Sequence, residues 1–299
     1  MTDSLQTTDA ATLASQLEEH LAAFGSVLVA YSGGVDSTVV LRAATAALGE
    51  RALGVLADTE SNTDEDIALA RRIAEEHSMR LEIVEYSELA IENYADNPVN
   101  RCFFCKDALY GRLAEMAARH GIETICDGSN ADDGGDYRPG LKAVANRRVR
   151  SPLREIGITK AAVRALAHHY GLPNHDKPSS PCLSSRIPYG QRVTRGKLDQ
   201  VGAAEQFLRG LGLREFRCRH HGDIARLELM PGDFPLALER RDEIVDALRA
   251  LGFQWVALDL AGFRSGGLNR VLTPAQRRQH THASMDAPEI VPDSQGEPQ

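Results

Sequence analysis

The chain has 299 residues, 42% hydrophobic and 25% charged, enough apolar material for a buried core, which excludes fibrous, collagen-like and wholly disordered classes. Its 34 Lys+Arg against 42 Asp+Glu give a net charge of −8, a poor start for gripping a phosphate backbone, so no nucleic acid is expected as partner. No apolar run approaches the roughly 20 residues of a membrane-spanning helix, and the N-terminus carries acids where a secretory signal carries lysines, so the expected location is cytoplasmic, with no membrane partner.

In chain order, Leu13, Leu17 and Leu21 recur every four residues and predict an amphipathic helix ending near Gly25. Residues 26–31 (SVLVAY) read as a short buried strand, and after a glycine turn residues 37–48 read as a helix closed by Gly49. Residues 51–57 (RALGVLA) make a second strand, Asn62 and Glu65 a capping box for a helix to about His77, and residues 80–86 a third strand. A helix from near Lys106 to Gly121, carrying Leu109, Leu113 and Met116, precedes a fourth strand at 123–127 (ETICD). Short apolar strands alternating with helices predict an α/β fold, a doubly wound parallel sheet, assigned to residues 1–180.

A Pro- and Ser-rich connector at 175–189 leads into a second, smaller α+β domain, residues 181–272. Its elements read as a helix (197–211), two strands (215–221 and 225–229), a helix (236–251) and a strand (254–260). Residues 273–299 are polar and proline-bearing without apolar period, and read as a disordered tail.

Chemistry enters at Ser32-Gly33-Gly34-Val35-Asp36-Ser37, between a strand and a helix. Adjacent glycines permit a positive-φ turn and let backbone N–H groups converge on an anion at the helix N-terminus, pyrophosphate being the natural occupant. The segment has no GKS or GKT ending and no lysine, so it is not a Walker loop. The five cysteines, Cys102, Cys105, Cys126, Cys182 and Cys218, are odd in number in a chain without an export signal, which argues for reduced thiols used for metal or chemistry. Cys102-x-x-Cys105 by itself fits a zinc half-site, with His175 the nearest further ligand in sequence, or a redox pair. Cys126 and Cys218 fall in predicted strands and read as buried bystanders, and His168 and His169 as surface or packing residues.

SGGVDS resembles the PP-loop of the ATP pyrophosphatases, the superfamily of GMP synthetase, NAD synthetase and several tRNA-thiolating enzymes. That resemblance implies cleavage of ATP between its α and β phosphates with Mg²⁺, adenylation of a substrate, and an ATP site made by Ser32, Gly33, Gly34, Asp36 and Ser37. It also implies Asp58 near the adenosine, Gly128 of the GSNADD segment at the nucleotide, and Lys160 near the phosphates. Residues 100–106 (NRCFFCK) and 178–186 (PSSPCLSSR) resemble the two signature segments of the LarE family, ATP-dependent sulfur transferases that make the nickel-pincer nucleotide of lactate racemase. The likeness runs from about residue 17 to 272, including residues 217–229 (RCRHHGDIARLEL) and 259–269 (DLAGFRSGGLN).

The LarE resemblance implies a small-molecule nucleotide substrate, pyridinium-3,5-biscarboxylic acid mononucleotide, whose carboxylate is adenylated and then converted to a thiocarboxylate. Asp36, Cys182 and Arg186 are the catalytic candidates, Arg186 holding the carboxylate or adenylate. For the sulfur, Cys102, Cys105 and Cys182 suit three irons of a [4Fe-4S] cluster whose fourth iron takes hydrosulfide. The alternatives are sacrifice of Cys182 to dehydroalanine, or a tRNA-thiolating enzyme, which would need a basic RNA surface. Arg217, Arg219 and Arg264 are candidates for the substrate phosphate, because guanidinium binds phosphate bidentately. By the same resemblance the second domain builds a homo-oligomer, with a hexamer as one such assembly.

Overall fold

A computed structural model describes residues 9–134, 140–178, 181–264, 266–273 and 276. Its first part runs α1 (Ala10–Ala22), β1 (Val27–Tyr31), α2 (Val35–Leu48), β2 (Ala52–Asp58), α3 (Asp64–Glu76), β3 (Leu81–Glu85), α4 (Arg101–His120) and β4 (Thr124–Cys126), then α5 (Gly140–Asn146), α6 (Pro152–Glu155) and α7 (Lys160–His169). The unbroken apolar run of β1 suits a strand covered on both faces. Alternation then divides it, with Val27, Val29 and Tyr31 in the core with α1, α2 and α7, and Leu28 in the core with Tyr110, Leu113 and Met116 of α4. At Gly54 in β2 an added Cβ would lie 2.5 Å from Leu41 Cδ2, so the missing side chain lets α2 lie close on the sheet.

The four strands are parallel in the order β3-β2-β1-β4. β2 and β4 flank β1 on opposite sides, so the loops leaving β1 and β4 diverge at the carboxyl edge of the sheet. In open α/β sheets that divergence opens the ligand crevice. Two expected boundaries move. α3 is capped by Thr63, whose Oγ1 accepts the Asp66 N–H at 3.1 Å, while Asn62 Oδ1 accepts the Thr59 N–H at 3.2 Å. α4 starts at Arg101 rather than near Lys106, wound from a turn in which the Arg101 N–H reaches Pro98 O at 2.9 Å. Its first turn buries an arginine where apolar periodicity looks for a leucine, and so both cysteines of the pair are helical.

The second part runs α8 (Arg195–Gly210), β5 (Phe216–His221), β6 (Ile224–Leu229), α9 (Phe234–Glu239), α10 (Arg241–Ala250) and β7 (Trp255–Leu258). Its sheet has the order β5-β6-β7, antiparallel then parallel. The single helix expected at 236–251 is two, separated at Arg240, where ψ is 18°. Phe216, Cys218, Ala225, Leu227 and Leu229 pack with Leu208, Ile244, Leu248 and Phe253. By the two-residue period of a strand, Arg217, Arg219, Arg226 and Glu228 stand on the opposite face. The expected tail lies almost wholly outside the described residues, and among those described no helix is long and apolar enough to cross a membrane.

Arg186, in a 3-10 turn at Leu183–Arg186, joins the connector to α8. Its Nε and Nη2 donate to the two carboxylate oxygens of Glu205 at 2.9 and 2.8 Å, both residues are buried, and Glu205 Oε1 also accepts the Cys218 N–H at 3.0 Å. Breaking a buried pair from one side strands a charge, whereas replacing both partners by apolar groups does not. Glu205→Ala is expected to lower unfolding free energy by about 3–5 kcal/mol in urea titrations under reducing conditions, and Arg186→Met/Glu205→Leu by clearly less.

Candidate active site at the carboxyl edge of the parallel sheet

The loop between β1 and α2 is shaped by its own small residues. Gly33 has φ +69°, and a Cβ there would lie 2.7 Å from Ala70 Cβ, so position 33 needs glycine on both counts. Ser37 Oγ accepts the Ser32 N–H at 3.1 Å and donates to Gly34 O at 3.1 Å, drawing the loop into a ring over the helix start. Gly34 is the N-cap of α2 and caps it with no side chain, so the first-turn N–H groups are left to meet an anion.

Residues from four other segments close around this loop. Asp36 is ion-paired with Lys160 at the start of α7, and its Oδ1 accepts from Asn130 Nδ2 at 3.0 Å. Lys160 thus brings the cation that the loop sequence lacks. Gly128, just past β4, approaches so closely that an added Cβ would lie 2.7 Å from the Ser37 nitrogen. The turn that follows is held by buried Asp127, which accepts from the Ser129 N–H and hydroxyl (3.1 and 2.7 Å) and from Ser151 Oγ (2.8 Å). Asn174 Nδ2 donates to Gly33 O and Thr38 Oγ1, both at 3.0 Å. The structure therefore gathers Ser32, Gly33, Gly34, Asp36, Ser37, Gly128 and Lys160, with Asp58 ending the neighbouring strand β2. Asn130 and Asn174 were not singled out by the sequence; the GSNADD segment around Asn130 was the available signal.

The sulfur candidates come from two separate stretches. Cys102 and Cys105 lie in the first turns of α4, and Cys182 precedes the 3-10 turn, whose Leu183 N–H donates to Ser61 O at 3.0 Å in the loop after β2. Cys102 is exposed, Cys105 and Cys182 half-buried. Cys105 Sγ donates to Glu88 Oε1 at 2.8 Å. Burial pushes the Cys182 thiol up, with Arg101 the largest opposing influence and Cys102 adding to the rise. Burial, then Glu88, then the other two cysteines push Cys105 well up. Among the described residues, no three His, Cys, Asp or Glu side chains form a group that could hold a metal ion. His175, the nearest further zinc ligand in sequence, instead has Nδ1 3.0 Å from Leu172 O and its ring against His168. Cys126 and Cys218 are fully buried in strands.

The arginines divide. Arg186 spends its donors on Glu205, on the Pro181 and Cys182 carbonyls (2.6 and 3.3 Å) and on Ser185 Oγ, so it shapes the backbone that carries Cys182. Arg219 forms a bidentate pair with Glu228 Oε2 (3.0 and 2.8 Å) and donates to Ser185 O. Arg217 lies over the Phe263 ring at 4.8 Å, and burial pulls its pKa down to about 10, still charged at neutral pH. Arg264 is exposed and lines a cavity of about 340 Å³ with Arg226, Arg270, Glu228 and Asp259.

A family model described as NAD synthase matches residues 8–106. The chain is 42% identical over 254 residues, covering 84% of it and 91% of the relative, to pyridinium-3,5-bisthiocarboxylic acid mononucleotide synthase of Lactiplantibacillus plantarum. It belongs to the LarE family. An uncharacterized protein of Synechocystis sp. is 43% identical over 266 residues, 87% of this chain and 99% of that one. Over the nucleotide half the likeness is wider, with a glutamine-hydrolyzing GMP synthase chain of Thermoplasma volcanium 29% identical over 195 residues, 60% and 62% of the two chains. As a LarE-family protein with a PP-loop the chain is an ATP-dependent sulfurtransferase, and ATP and Mg²⁺ use follows from the family.

Gly128 and Gly121 separate nucleotide binding from stability. Gly128→Ala is expected to raise the ATP KM at least about tenfold by pushing on the α2 N-terminus. Gly121→Ala, at a φ of +63° with open space around it, is expected to cost roughly 1 kcal/mol of stability and leave the KM unchanged. Initial rates against ATP concentration and urea titrations of both variants check this.

Proposed function

We propose that the chain adenylates a carboxylate of pyridinium-3,5-biscarboxylic acid mononucleotide and converts it to a thiocarboxylate, on the way to a nickel-pincer nucleotide. The carboxylate oxygen attacks the α phosphorus of ATP and pyrophosphate leaves; hydrosulfide then attacks the acyl carbon and AMP leaves. Carboxylate oxygen is a poor leaving group until AMP is attached to it, which is why the adenylation comes first. The observation that carries this reading is the bond from the Leu183 N–H to Ser61 O, which ties the Cys182 segment to the strand end beside the nucleotide loop.

In this reading the first-turn N–H groups of α2, Ser32, Ser37 and Lys160 neutralise the departing pyrophosphate in place, without reorganisation. Asp36 is the carboxylate at hand for Mg²⁺, the remaining ligands being phosphate oxygens and water. Arg186 holds the Cys182 backbone, and Arg264, with Arg226 and Arg270, offers the substrate phosphate a cationic wall despite the net acidity. The second unit is also proposed to build a homo-oligomer, which the 62% exposure of Trp255 on edge strand β7 supports.

For the sulfur source we favour the three-cysteine [4Fe-4S] cluster. The donor set is three soft thiols, and a cluster takes one thiolate per iron, so its ligands stand apart instead of converging on one ion. The three thiols come from the first turns of α4 and from the residue before the 3-10 turn at 183–186. When bound, such a cluster supplies an open iron for hydrosulfide.

Purified enzyme given ATP, Mg²⁺ and the pyridinium substrate is expected to release pyrophosphate with no tRNA present; release that requires tRNA would instead make this a tRNA-thiolating enzyme. Anaerobically purified protein is expected to absorb broadly toward the blue and to contain iron and sulfide, both lost in Cys102→Ala. A blank spectrum together with loss of one hydrogen sulfide mass from Cys182 after a single turnover would establish the sacrificial route.

A further inference from the structure

Arg101 is almost fully buried, yet no carboxylate accepts from it among the described residues, unlike Arg186 and Arg219. Its Nη1 donates to Asn97 Oδ1 at 2.6 Å and to Ser184 O at 2.8 Å, two residues past Cys182. Its own backbone is adjacent to Cys102. A buried cation without a carboxylate partner is costly, so its hydrogen bonds to Asn97 and Ser184 must be kept. Asn97, fully buried, spends its amide on Ile187 O, Pro188 O and Gln191 O at 3.2, 2.8 and 3.1 Å. Its φ of +55° aims the side chain there, a conformation that Asn tolerates better than most residues. Tyr94 adds a second strut, its hydroxyl 2.7 Å from both Ser184 Oγ and Glu88 Oε2, and Glu88 in turn accepts from Cys105.

We propose that Arg101, braced by Asn97, is a positioning residue for the sulfur site, holding the Cys182 segment at a set distance from the two cysteines of α4. This rests on the sulfur-transfer reading only for what the site is used for. Arg101 need touch neither substrate nor nucleotide. It locks two backbone segments that the sequence separates by about 80 residues, and chemistry that hands sulfur to an acyl carbon tolerates little misplacement.

The test is dibromobimane, which fluoresces once it bridges two nearby thiols, applied to the reduced full-length protein, with peptide mass mapping of the bridge. Wild type and Arg101→Lys are expected to give a bridge joining Cys182 to Cys102 or Cys105, and Arg101→Met to give at least about fivefold less. Single-turnover pyrophosphate release is expected to survive in Arg101→Met while thiocarboxylate formation falls in step with the bridge, a split that general loosening of the fold would not produce. Wild-type bridging in a folded Arg101→Met, or no bridge in wild type, overturns the proposal. Should Arg101→Met not fold, Arg101→Gln, which stays polar but is too short to hold both Asn97 and Ser184 O, decides it: a reduced bridge supports the positioning role and an unchanged one overturns it. A wild type that bridges its thiols yet releases no pyrophosphate would retire the sulfur-transfer reading and leave the positioning role intact.

Discussion

The connector between the two units must satisfy its backbone while lying across the ligand-binding edge of a parallel sheet, and the rest of the site depends on how it does so. Buried N–H and C=O groups need partners, and here the first unit supplies them. Asn174 is tied to Gly33 O, Lys177 to Asp66, the Leu183 N–H to Ser61 O, Ser184 to Arg101 and Tyr94, the carbonyls of Ile187 and Pro188 to Asn97, and the Val193 N–H to Ala95 O. Each tie is an ordinary hydrogen bond or ion pair. Together they tie the backbone around Cys182 to the unit that carries the nucleotide loop, which is what the proposed reaction in two consecutive displacements would require.

An acidic protein that binds polyanions must concentrate cations locally, and this one does so in two different ways. At the nucleotide loop the positive potential comes from backbone N–H groups at the start of α2 with a single ammonium from Lys160, an arrangement pre-oriented by the glycines. On the second sheet, where the substrate phosphate is proposed to bind, it would come from arginines on the polar face of β5 and β6, and there the carboxylates of Glu228 and Asp259 hold Arg219 and Arg226 in fixed poses. A net charge of −8 is averaged over the whole surface, while screening confines each site to its own neighbourhood.

Most of the fold was legible because the signals are local. The apolar runs of β1 and β2, the glycines that stop α2 and α4, and the alternation in β5 and β6 are each set by neighbours a few residues away. The nucleotide loop was legible for the same reason. Less visible were features whose cause is distant in sequence. Arg186 and Arg219 read in the sequence as arginines without a partner, whereas Glu205, 19 residues on, and Glu228, nine residues on, face them in the structure. The start of α4 escapes the apolar period because its buried face opens with Arg101, and an arginine held by Asn97 and by Ser184, 83 residues on, reads in sequence as solvent-exposed. Glu88, Tyr94 and Asn97 gave no signal at all, since nothing in residues 88–98 (ELAIENYADNP) marks those side chains as buried.

The partial burial of Cys105 and Cys182 at the proposed sulfur site connects these observations. An acyl adenylate is open to attack by water, and a sulfur nucleophile wins only where water is scarce and the sulfur is aimed. Burial of Cys105 and Cys182 raises the cost of ionising either thiol, so a site that merely excluded water would also disarm its nucleophile or ligand. The remedy is a positive charge that is itself buried, and an arginine serves better than a lysine because its pKa keeps it charged even when desolvated. Arg101 occupies that place, supported by Asn97 and the Tyr94 ring at 5.8 Å, and its influence on Cys182 opposes that of burial. In the proposed reading the same arrangement would serve a thiolate awaiting iron or a cysteine about to surrender its sulfur, because both need negative charge stabilised.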